Sequence, residues 1–176
     1  MTHWDSIYET AIDNYGLITT AQAVALGVKP AELPRWVKTG RLVRRGHGVY
    51  RLAKHTPSDY DYYAEALAFT GDNSSIFGES VLAMQNLALV NPPKIYVAVG
   101  DRLRKQLPNW VQVLPRASVE RPAFYQGIRC QPLPEAILHC KTRVPRERLS
   151  SAIADARKQG LITGKEEQTL KTEIAK

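Results

Sequence analysis

The chain has 176 residues, 44% hydrophobic and 23% charged, with a formal net charge of +7. That length buries one large core or two small ones, and the balance of apolar and charged residues excludes intrinsic disorder. The most apolar run, Val81 to Val90, is broken by Gln85 and Asn86 and falls short of the ~20 residues a bilayer helix needs, while the start "MTHWDSIYETAIDNYG" is acidic where an export signal is basic and then apolar. A cytoplasmic location with no membrane partner is therefore expected.

The first 54 residues read as three helices and a hairpin. In "HWDSIYETAIDNYG", Trp4, Ile7, Tyr8, Ala11, Ile12 and Tyr15 recur at helical spacing, with Gly16 as the stop. In "GLITTAQAVALG", Thr19 and Gln22 have the spacing of a capping box, and Ala23, Val24 and Leu26 give the short helix that follows its apolar side. After a tight link comes "VKPAELPRWVKTG", with Leu33, Trp36 and Val37 as the buried stripe and Ala31, Glu32, Arg35, Lys38 and Thr39 outside. Pro30 suits a first helical position, but Pro34 would then remove a backbone bond one turn in, so the helix begins nearer residue 32 or bends. Arg41 to Arg44 and Val49 to Leu52 are short extended runs joined by "RGHG", whose glycines supply the positive φ of a hairpin turn. Leu42 and Arg44 share a parity, so the alternation is imperfect, with an apolar and a charged residue on one face, and the register stays open.

"AKHTPSD" reads as a linker to a second unit, residues 58–176. Ser58 is placed to cap a helix running to about Thr70, with Asp59, Asp61 and Glu65 as acidic residues favouring its start. A short extended piece at "SSIF", a helix from about Glu79 to Leu89, and a strand at "KIYVAVG" follow. "WVQVLPR" and "GIRCQPL" are weaker strands, and helices open at Pro134 and Pro145. "GLIT" occurs at Gly16 and again at Gly160, where Thr163 and Glu166 repeat the capping-box spacing. The fold class expected is α+β: a winged helix-turn-helix over residues 1–54 and a mixed α/β domain after it.

Catalytic signals are missing. Gly46-His47-Gly48 lacks the third glycine and following helix of a dinucleotide site, and no phosphate loop, HExxH or GxSxG occurs. Nine residues separate Cys130 from Cys140, without the spacing of a zinc site, so both are expected as buried thiols; His139 beside Cys140 points elsewhere on a helix and makes no nucleophile pair. No enzyme activity, metal or cofactor is expected.

Charge is the positive signal. Residues 28 to 54 hold Lys29, Arg35, Lys38, Arg41, Arg44, Arg45, Arg51 and Lys54 against Glu32 alone, and elsewhere sixteen basic residues balance sixteen acidic ones. A basic surplus confined to one supersecondary unit marks a polyanion site. In a winged helix-turn-helix the third helix enters the major groove and the wing follows the backbone. Arg35 is the candidate for reading guanine, with Lys38 beside it and Ala31 and Thr39 as lesser contacts. Lys29, Arg41, Arg44, Arg45 and His47, with Thr20 and Gln22 at the start of the second helix, are the candidate phosphate contacts. The same charge also permits a protein-interaction adaptor that grips an acidic partner, because winged helices serve that role too.

The run from Gly16 to Leu52 resembles the amino-terminal winged helix of AbiEi-family antitoxins, the transcriptional regulators of type IV toxin–antitoxin systems. That family shows G-x-[IL]-T before a helix ending in glycine, and then G-x-L-x-R-x-x-x-G-V-Y, matched here by Gly40, Leu42, Arg44, Gly48, Val49 and Tyr50. "SSIFGESVLAMQNLAL" and "QPLPEAILHCKTRVPRERLSSAIADARKQGLIT" are similar to later family segments. The resemblance implies a repressor that binds double-stranded DNA at its own promoter, in an operon also encoding a nucleotidyltransferase-like toxin. It implies no stable complex with that toxin, and antitoxicity carried by the carboxy-terminal domain. If about five phosphates are neutralised, log K falls against log salt with a slope of roughly −4 to −5. A filter-binding titration between low and physiological salt checks this, and a flat line rules the mode out.

Overall fold

The structure, a computed structural model, describes residues 1–176. The chain divides into two compact units, residues 1–72 with 104–108, and residues 73–103 with 109–176.

The first unit opens with α1 (His3–Ile12), capped by a reciprocal Thr2–Asp5 box. A three-residue strand, β1 (Leu17–Thr19), leads into α2 (Thr20–Ala25), whose cap is the Thr19–Gln22 box that the spacing predicts. Helix α3 spans Glu32–Lys38, with Ala31 before it. This start resolves the Pro34 conflict: proline falls in the first turn, where a backbone N–H has no helical partner to lose. The hairpin is β2 (Leu42–Gly46) and β3 (Val49–Leu52). Strand β3 lies between β1 and β2, antiparallel to both.

Register settles which residues look inward. Leu42 pairs with Leu52, and Ile18 with Tyr50. All four join Ile7, Ala11, Ala23, Val28, Leu33 and Trp36 in one apolar cluster beneath the three helices. Leu42 is buried there, while Arg44, which pairs with Tyr50 on the same face, lies exposed at the far end of the strand. Of the apolar side expected on α2, only Ala23 is buried; Val24 and Leu26 are exposed, because six helical residues present a single face and Val28, beyond the turn, fills the core instead.

The opposite face of the sheet carries the rows Leu17–Arg51–Val43 and Thr19–Val49–Gly46. Helix α4 (Asp61–Thr70) packs against β1 and β3. The sequence reading placed this helix at the head of the second unit, whereas its contacts group it with the first. Its start also differs from expectation. Tyr60 precedes the helix with no side-chain cap, and Ser58 instead bonds the Tyr60 amide and the Asp61 carboxylate.

In the second unit, β4 (Ser75–Ile76), β5 (Ile95–Val99), β6 (Val111–Pro115), β7 (Ala123–Tyr125) and β8 (Ile128–Cys130) form one mixed sheet in the order β6-β5-β4-β8-β7. Around it are α5 (Glu79–Met84), α6 (Leu133–His139), α7 (Arg146–Lys158) and α8 (Gly164–Ala175). The α8 cap is the second predicted box, Thr163 with Glu166. Helix α5 stops five residues before the expected end at Leu89, where Asn86, Ala88 and Leu89 take positive φ. Cys130 and Cys140 are free, buried thiols, which burial pushes up to about 11 and about 12.

Gly46 has ordinary φ but no room: a Cβ there would lie 2.5 and 2.7 Å from ring carbons of Phe69, a buried residue of α4. Gly46→Ala is therefore expected to cost about 1–3 kcal/mol, read as a lowered urea midpoint with an unchanged m-value.

Candidate nucleic-acid interface

Start with α3. Its buried side is fixed by Leu33 and Trp36, and Trp36 meets the Trp4 ring edge-on at 5.3 Å. That places Trp36 in the core and leaves Ala31, Arg35, Lys38 and Thr39 exposed. Arg35 donates to Glu32 across 3.2 Å with 74% of its side chain accessible. Such an exposed i,i+3 pair is worth a fraction of a kcal/mol and is readily exchanged for a stronger acceptor. Thr39 Oγ1 donates back to the Trp36 carbonyl, and the Lys29 carbonyl accepts from Glu32 ahead of the helix, with the Lys29 side chain exposed.

Four of the expected phosphate contacts come together. Thr20, Gln22, Arg44 and His47 line one cleft of about 550 Å³ between the start of α2 and the hairpin turn. The turn is tied to α2 by the Thr20 amide, which donates to the Gly48 carbonyl at 2.9 Å. The Gln22 amide and side chain serve the Thr19 box, so the cleft offers side chains rather than a row of helical N–H groups. Lys105 and Asp72 also line this cleft. Lys105 reaches it because residues 104–108 return to the first unit, a placement that no local sequence signal announces.

Three of the expected contacts lie elsewhere: Lys29 ahead of α3, Arg41 and Arg45. Arg41 stacks its guanidinium 4.9 Å from the centre of the Trp4 ring, on the α1 side. Arg45 turns to α4, where its Nε donates to both Glu65 oxygens at 3.1 and 3.3 Å. Arg51 bonds the same carboxylate at 2.9 Å. Strand alternation puts Arg45 on the face of Val43, and at the β-bulge Arg44 pairs with Tyr50 and Gly46 with Val49, leaving Arg45 as the extra residue on β2. Glu65 is 1% exposed, and two guanidiniums meet it there. Of the carboxylates expected to favour the start of this helix, Asp61 lies in its first turn and Glu65 one turn further on, and both have partners outside the helix. Glu65 binds the hairpin, and Asp61 accepts from His55 Nε2 at 3.0 Å and from the Ser58 hydroxyl at 2.8 Å.

The chain has no group of three or more His, Cys, Asp or Glu side chains arranged to hold a metal ion, and no helix long and apolar enough to cross a membrane.

Three helices, with β1 between the first two, and a basic antiparallel hairpin in this order make a winged helix-turn-helix, followed in this chain by a mixed α/β domain. Residues 5–53, which cover that unit as far as the end of the hairpin, match the family described as "Transcriptional regulator, AbiEi antitoxin". No curated protein matches the chain. Among solved structures, the RV2827C protein from Mycobacterium tuberculosis aligns over 97% of this chain and 71% of its own, at 17% identity and a TM-score of 0.49.

The link between hairpin and α4 gives a pH dependence. Burial would raise the Asp61 carboxyl, but the bonds from His55 and Ser58 outweigh it and hold the group below the ordinary carboxylate value. A carboxyl depressed on folding adds stability that is complete above its unfolded value of about 3.9 and is lost as pH falls through the folded one. Thermal melts from pH 6 down to pH 2.5 are therefore expected to show a loss below about pH 4 that is smaller in Asp61→Asn.

Proposed function

We propose that the chain is a sequence-specific DNA-binding transcriptional repressor, the antitoxin and autoregulator of a type IV toxin–antitoxin operon. The observation that carries the DNA reading is geometric. Residues chosen from sequence for phosphate contact, Thr20, Gln22, Arg44 and His47, surround one cleft, and α3 presents Arg35 and Lys38 to solvent beside its buried stripe.

In this reading α3 enters the major groove and the hairpin tracks the backbone. Arg35 leaves Glu32 and spans guanine O6 and N7, and Lys38 lies one turn along. Thr20, Gln22, Arg44 and His47 take phosphate oxygens, which fix register without reading sequence. Lys29 flanks the groove before α3, and Arg41 keeps its stack on Trp4 while its charge faces outward. The family description over residues 5–53 supports the regulatory role. The antitoxin role rests on that description together with the motif from Gly40 to Tyr50, and it assigns antitoxicity to the second unit. DNA and the operon's own promoter are the partners; the toxin acts without forming a stable complex with this chain.

A gel shift and footprint on the upstream region of the gene test the proposal. Arg35→Ala is expected to lose about 1–3 kcal/mol of discrimination at one base pair of the site while retaining binding to unrelated duplex. Equal discrimination in the variant and the parent removes Arg35 from the reading role. Co-expression with the product of a neighbouring nucleotidyltransferase gene tests the antitoxin role: growth must be restored by this chain, and lost again when residues 73–176 are removed.

A further inference from the structure

The basic hairpin offers two adjacent arginines, and only one of them faces the cleft. Arg44 lines it, with its Nε donating to the Gly46 carbonyl at 3.3 Å. Arg45 is held by Glu65, a carboxylate 1% exposed that also binds Arg51. Removing Arg45 from this arrangement would leave a buried carboxylate short of a partner, a cost that an exposed phosphate contact does not repay. The cleft meanwhile gains a cation that the hairpin does not supply. Lys105, from a segment fifty-odd positions beyond the hairpin that rejoins the first unit, lines it together with Thr20, Gln22, Arg44 and His47. Arg44, Lys105 and the His47 imidazole are set against Asp72 as the one carboxylate in the lining, and the Thr20 hydroxyl and Gln22 amide add neutral polar groups. Two fixed cations with hydroxyl, amide and imidazole around an open cleft suit a phosphodiester.

We propose that Lys105 completes the backbone-phosphate seat of the winged helix opposite Arg44, and that Arg45 is a positioning residue, locked by Glu65, which makes no phosphate contact. The inference rests on the DNA-binding reading above. It adds a binding residue from outside residues 1–54 and withdraws one from within the hairpin.

Counterion release separates the two roles, because each phosphate contact contributes about 0.9 to the slope of log K against log salt, whereas a residue that only places the hairpin changes K without changing the slope. The experiment measures full-length chain and its variants on one short duplex of arbitrary sequence, across a salt series. Arg44→Ala and Lys105→Ala are each expected to flatten the slope by about 0.9, and Arg45→Ala to leave it at the parent value while lowering affinity at every salt concentration. Amide exchange in Glu65→Gln is expected to quicken across residues 42–52 and to stay at the parent rate in α3. If Arg45→Ala does not fold, Arg45→Gln, which keeps a hydrogen-bond donor for Glu65 and leaves the Glu65–Arg51 pair in place, takes its place with the same expected slope. A Lys105→Ala slope equal to the parent's, or a flattened slope on loss of Arg45, overturns the inference while leaving DNA binding intact. A parent protein whose binding is absent or flat in salt overturns the DNA reading itself, and the seat with it.

Discussion

A carboxylate buried to 1% exposure must find compensation inside the protein, and Glu65 finds it in two arginines of a hairpin. The geometry follows from strand alternation. Arg51 of β3 pairs with Val43 and Leu17, so all three belong to the face turned away from the helical core. Arg45, two residues after Val43, adds a second guanidinium on that face, and Phe69, one turn along α4, closes over the gap left by Gly46. Breaking the deeper pair, Glu65 with Arg51, costs about 3–5 kcal/mol against total stabilities of about 5–15 kcal/mol, and the more exposed Arg45 contributes less. The hairpin and α4 are thus a single mechanical piece. The winged helix does not end at residue 54 in any energetic sense, since without α4 its sheet would expose Leu17 and Val49, both almost fully buried.

The same comparison of magnitudes sorts the basic residues. Counting charges along residues 28 to 54 treats all eight alike, but their partners differ in depth. Glu32 holds Arg35 at the surface, where a pair is worth under about 1 kcal/mol and gives way to a better acceptor. Glu65 holds Arg45 and Arg51 in a setting where release leaves a charge stranded. Arg41 lies between these cases, since its stack on Trp4 fixes the guanidinium plane and leaves the charge at the surface.

Local rules were readable wherever the physics is local. Thr19 with Gln22 and Thr163 with Glu166 announce their helices because a capping box closes within four residues. Pro34 limits where α3 can start, and the β-branched run of Ile95 to Val99 forms the strand it suggests. Sequence reasoning failed where the deciding partner was distant or the backbone special. Nothing near Arg45 names a carboxylate twenty positions on, so Asp61 and Glu65 read as ordinary first-turn acids. A bulge leaves no mark in a short hairpin. The positive φ of Asn86, Ala88 and Leu89 ends α5 early in a run whose composition still favours helix. The lining of the cleft shows the same division: Thr20, Gln22, Arg44 and His47 belong to the hairpin and helix start that the sequence marks, while Lys105 enters through a chain crossing that topology alone creates.

The value of a fixed hairpin follows from the length of α3. Seven residues rise about 10 Å, enough for Arg35 and Lys38 on one outward face and little more. A reading helix that short contributes few base contacts, so in the proposed complex register must come from phosphate contacts made at a set distance from it. A mobile hairpin would have to be ordered at each encounter, at a cost of about 0.5–1.5 kcal/mol for every long side chain immobilised. Tying the turn to α2 through Thr20 and Gly48, and the strands to α4 through Glu65, meets that cost during folding instead. Two of the basic residues in the hairpin serve its rigidity, and this is what lets the remaining cations hold a constant spacing from α3, the groove-reading helix of the proposed complex.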